Sequence, residues 1–71
     1  MLLMTFDGCE LVEVSMVRLH QSAQGIWLIT HNGYTFGAYA KESEGRNALI
    51  TYAKTQNDGS YFRNTSTATP A

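Results

Sequence analysis

Asn32-Gly33 stands between two runs rich in β-branched and aromatic residues, Ile26 to Thr30 and Tyr34 to Tyr39. A two-residue type I′ turn needs positive φ at both central positions, and Asn-Gly tolerates that better than almost any other pair. The stretch from Ile26 to Ala40 therefore reads as a β-hairpin. Counting outward from the turn pairs His31 with Tyr34, Thr30 with Thr35, Ile29 with Phe36, Leu28 with Gly37, Trp27 with Ala38 and Ile26 with Tyr39.

The flanking chain extends this hairpin. Met1 to Phe6 is apolar apart from Thr5, and Asp7-Gly8 repeats the type I′ signal. Cys9 to Gln21 then alternates, with many β-branched residues. A turn at Asp7-Gly8 pairs Phe6 with Cys9, Met4 with Leu11 and Leu2 with Glu13; a frayed N-terminus is the alternative. Ser22 to Gly25 is small and polar, a loop joining the long second strand to Ile26.

Past Lys41 the period changes. Ala48, Leu49, Tyr52 and Ala53 form one stripe of a helix. Ser43 fits its N-cap, Glu44 favours the first turn, and Asn57-Asp58-Gly59 ends it. Tyr61-Phe62-Arg63 reads as a short edge strand or an extended arm. The small, polar residues 65–71 read as a disordered tail. The expected fold is α+β: a four-stranded antiparallel β-meander with one C-terminal helix packed on one face, ββββα. Residues 1–64 form the single domain.

Size then turns the pattern into a functional argument. A chain of 71 residues builds a marginal core and usually needs a staple, a metal or a partner. A single cysteine, Cys9, makes no intramolecular disulfide and fits a reducing compartment. Both faces of the sheet carry apolar residues, Trp27, Ile29 and Phe36 on one and Ile26, Leu28 and Tyr39 on the other. One short helix covers one face. Charged residues make up only 15% of the chain, against about 25% in ordinary domains. An uncovered apolar face on a charge-poor surface predicts a protein partner, a second copy of the chain, or both.

No spacing points to catalysis. Nothing in the sequence near Cys9 activates it as a nucleophile: its neighbours Asp7 and Glu10 are acidic, and no base is adjacent. His20, His31 and Cys9 are too few for a closed zinc site. The carboxylates form no general acid–base pair, and the glycines form no phosphate loop. The expectation is a non-enzymatic protein with no metal and no cofactor. A net charge of −1 gives no electrostatic case for nucleic acid. Stacking of single-stranded nucleic acid on sheet aromatics is the alternative use of the same side chains. The apolar start is too short for a signal peptide or a membrane span, so the expected location is cytoplasmic.

The two hairpins and the helix, in a tiny chain without a catalytic motif, resemble the small proteins with which phages and other mobile elements bind and block a host enzyme or defence complex, anti-CRISPR proteins among them. That resemblance implies an inhibitor or adaptor acting by steric occlusion, and it transfers no functional residue. Together with the uncovered face it gives a homodimer that binds a host protein or protein complex. The expected contact residues are Trp27, Tyr34, Phe36 and Tyr39, with Arg18 and Arg46 as polar anchors.

Overall fold

Among the described residues the chain forms five strands and one helix: β1 (Leu2–Met4), β2 (Leu11–Glu13), β3 (Arg18–Gln21), β4 (Trp27–His31), β5 (Tyr34–Tyr39) and α1 (Glu42–Asp58). The computed structural model describes residues 2–58 and 65–70. Tyr61-Phe62-Arg63 lies outside them. All strand pairs are antiparallel, so the α+β class holds. The strands nevertheless form two sheets, β1-β2 and β3-β4-β5, in place of one four-stranded meander. The long strand expected over Cys9 to Gln21 breaks between Glu13 and Arg18. Within the break Val14 is 1% exposed while Met16 is 56% exposed. Val14 turns into the core there, and the chain leaves one ladder to start another. A β-branched run carries no mark of where it changes partner.

The first hairpin keeps its expected register, with Leu2 opposite Glu13 and Met4 opposite Leu11. Its turn differs. The Gly8 N–H donates to the Thr5 carbonyl at 2.9 Å and the Thr5 N–H to the Glu10 carbonyl at 3.0 Å, so the turn centres on Phe6-Asp7. Gly8 alone takes the left-handed conformation, with φ 76°. Asp7 favours this loop through its side chain. One carboxylate oxygen accepts the Thr5 hydroxyl at 2.6 Å and the Cys9 N–H at 3.0 Å. Phe6 is thereby free of Cys9, and its N–H donates to the Thr35 carbonyl at 2.7 Å. That bond fastens the first hairpin to β5.

The Asn32-Gly33 turn forms as expected, with φ 48° and 82°. His31 pairs with Tyr34 and Thr30 with Thr35. Beyond them a β-bulge inserts Phe36, so Ile29 faces Gly37, Leu28 faces Ala38 and Trp27 faces Tyr39. The slip brings Tyr39 to the side of Trp27 and Ile29, because side chains alternate with a period of two.

Helix α1 covers that side. Ala48 and Tyr52 pack with Ile29, Phe36 and Tyr39, and Leu3 of the first hairpin and Val14 just after it complete the buried cluster. The helix starts at Glu42. The Lys41 N–H donates to the Glu44 carboxylate at 3.2 Å, half of a capping box with Lys41 at the N-cap. Ser43 thus sits in the first turn and does not cap. The stripe ends at Tyr52, since Ala53 is exposed.

Residues 65–70, expected to be a disordered tail, lie against the end of β5. The Ala38 N–H donates to the Ser66 hydroxyl oxygen at 3.0 Å, and the N–H groups of Thr67 and Ala68 both donate to the Ala38 carbonyl. A Thr/Ser/Ala-rich composition hides such docking, because hydroxyl-to-backbone bonds need no apolar signature.

Candidate interaction surface

The residues expected to meet a partner do not share a surface. Phe36 and Tyr39 are each 1% exposed and belong to the core under α1. The bulge brings Tyr39 to the side Phe36 already shares with Ile29, and α1 covers both, so this fold presents neither side chain to a partner. Trp27 is half-buried and packs against the same cluster. Tyr34 is 39% exposed beside the Asn32-Gly33 turn, with its ring centroid 6.5 Å from that of Phe36. Arg18 is exposed on β3, where it pairs with Thr30. Arg46 is exposed on α1 and donates to the Glu42 carboxylate at 2.8 Å. That i, i+4 pair is a solvated surface contact of small energetic weight.

A different apolar surface is left open. In the first hairpin Leu3 and Val12 turn toward the core, while Leu2, Met4, Leu11 and Glu13 share the other face. Leu2 is 63% exposed, Leu11 64% and Met4 45%. Met16, in the segment after β2, is 56% exposed. Both faces of this hairpin are therefore apolar, the pattern of a strand covered on two sides, and among the described residues only one side is covered. The signal was present in the sequence as the unbroken run Leu2-Leu3-Met4, which fails to alternate.

Polar chemistry is sparse. The loop of the first hairpin and the Gly33–Thr35 side of the second enclose an open recess of about 250 Å³. Asp7 and Glu10 line it. The Thr5 hydroxyl first, and the Cys9 N–H second, hold the Asp7 carboxyl below its usual pKa. His20 is exposed and bonds Thr30 through Nε2 at 3.0 Å. Cys9 is exposed with its thiol 3.7 Å from the Asp7 carbonyl. Among the described residues, no three His, Cys, Asp or Glu side chains gather as metal ligands. Among them also, no helix is long and apolar enough to cross a membrane.

No protein-family profile, curated protein or solved structure matches this chain.

Proposed function

We propose that this chain is a small, non-enzymatic protein-binding module, an inhibitor or adaptor that acts by occluding a surface of its partner. The outer face of the β1-β2 hairpin carries this reading. Leu2, Met4 and Leu11 stand together there, each 45% exposed or more. An uncovered apolar patch is costly to leave in water, at about 25 cal/mol per Å² of apolar area, and a partner removes that cost. Leucine and methionine side chains on a short hairpin suit a concave apolar groove, and the low charge of the chain places no strong field around them. Two copies meeting through the same face would bury these residues reciprocally, which is the form a two-fold dimer takes.

The host-directed blocker suggested by resemblance is one occupant of this class. Changing Leu2 and Leu11 together to serine tests the reading. Both side chains are mostly solvated, so the fold should persist. Loss of a captured partner, or of a dimer in sedimentation, is the expected result. Retention of every association by the folded variant would remove the hairpin face from the account.

A further inference from the structure

We propose that the outer edge of β5, together with Glu44, is a docking site for extended hydroxyl-bearing peptide segments. Residues 65–68 occupy it in cis as a strap. This site is separate from the outer face of the β1-β2 hairpin and does not rest on that reading.

Every second residue of an antiparallel strand turns both its N–H and its carbonyl outward. With β4 on one side of β5, the outward groups belong to Thr35, Ala38 and Ala40. Open edges of this kind accept a further strand. Here Phe6 takes the Thr35 carbonyl at 2.7 Å, and the tail takes both groups of Ala38 and the N–H of Ala40. The Ala38 N–H donates to the Ser66 hydroxyl oxygen at 3.0 Å. The Ala40 N–H donates to the Thr67 hydroxyl oxygen at 3.1 Å. Among the described residues, one β5 group, the Ala38 carbonyl, bonds the tail backbone, and it receives two N–H groups, at 3.0 and 3.2 Å.

The tail is therefore not an added strand. It satisfies the N–H groups of the edge with side-chain oxygens, and this sets a chemical preference. Thr65 bonds the Tyr39 hydroxyl at 3.1 Å. Thr67 also donates to the Glu44 carboxylate at 2.8 Å. Three successive hydroxyls, Thr65-Ser66-Thr67, each meet a partner. At the third position the carboxylate requires a donor and repels an acidic side chain. No residue of 65–70 joins the apolar cluster, and Thr65 and Thr67 are exposed. The strap's hydrogen bonds lie outside that cluster, so it can open locally without disturbing the core. A segment of the same chemistry can then take its place.

The test uses the full chain, isotope-labelled, and a synthetic peptide of residues 65–71. In the wild type the Ala38 and Ala40 amides should exchange slowly with solvent. In Ser66→Ala/Thr67→Val they should exchange at least about tenfold faster, while amides of the β3-β4-β5 ladder keep their rates. Added peptide should bind the variant saturably and restore slow exchange at both amides. It should bind the wild type about tenfold or more weakly, because the strap competes at high effective concentration. A peptide with aspartate in place of Thr67 should not bind. Should the double variant fail to fold, Thr67→Ala, altered at one exposed position, carries the Ala40 exchange and peptide-binding readouts. Free exchange of Ala38 and Ala40 in the wild type would overturn the proposal. So would failure of the peptide to bind the strap-weakened variant, or equal binding of the aspartate peptide.

Discussion

The ring of Tyr39 lies across the backbone of Gly37. A methyl group on Gly37 would stand 2.8 Å from the Tyr39 hydroxyl oxygen and 2.9 Å from Cε2. Tyr39 is 1% exposed, so the ring has nowhere to go. Gly37→Ala should lower stability by about 1–3 kcal/mol in urea unfolding, the usual cost of overpacking. Gly45 offers the control. A methyl group there meets Leu19 Cδ1 at 2.6 Å, the end of a half-buried side chain that can turn aside. Exchanging glycine for alanine in a helix also returns roughly 1 kcal/mol. Gly45→Ala should therefore cost less than Gly37→Ala. The reverse order would show that the Tyr39 ring does not confine position 37.

Gly33 isolates the backbone term. It has φ 82°, and a Cβ built on it would meet nothing within 4 Å. Gly33→Ala should cost about 1–2 kcal/mol from left-handed strain alone. A neutral effect in thermal or urea unfolding would contradict the type I′ turn.

Asp7 links stability to acid. Its pKa in the folded chain lies below the ordinary 3.8, first through the Thr5 hydroxyl and then through the Cys9 N–H. A depressed carboxyl contributes stability that is present above the unfolded value and is lost as pH falls through the folded one. Asp7→Asn should therefore be less stable than the wild type near neutrality, and the difference should close at pH values below 3.8. Urea midpoints of both proteins over an acid series measure this. A difference that stays constant with pH would refute it.

Tyr52 links stability to base, with the opposite sign. Burial raises its phenol pKa above the ordinary 10.0, and the nearby Tyr39 raises it further. The contribution is whole below 10.0 and is lost as pH climbs from there, because the unfolded chain ionises first. Tyr52→Phe should flatten the alkaline fall in stability. An unchanged alkaline profile would mean that the phenol is not held neutral by the fold.

The sequence was most legible where backbone stereochemistry decides the outcome. Asn32-Gly33 specified its turn and the pairs nearest to it, and the apolar stripe of Ala48, Leu49 and Tyr52 specified the helix. It was least legible where packing decides. Nothing in Thr35-Phe36-Gly37 announces a bulge. Yet the bulge moves Tyr39 onto the side of Trp27 and Ile29 and lets α1 cover Ile29, Phe36 and Tyr39 together. The expected choice between two competing triplets thereby dissolves, and the open apolar surface moves to Leu2, Met4 and Leu11. The break after Glu13 and the docking of Ser66 and Thr67 were equally hidden, because each depends on a partner far away in sequence.

The central claim is that the outer face of the first hairpin is the surface this protein uses. The direct measurement is affinity capture from the cells in which the chain is natively made. It compares wild type, Leu2→Ser/Leu11→Ser, and Ile50→Ser as a control, with the unfolding midpoint of each recorded alongside. Ile50 is 55% exposed and lies on helix α1 rather than on the hairpin. The account predicts a specific protein held by the wild type and by Ile50→Ser, and lost from the folded Leu2→Ser/Leu11→Ser. Capture by all three proteins alike, or by none, would contradict it.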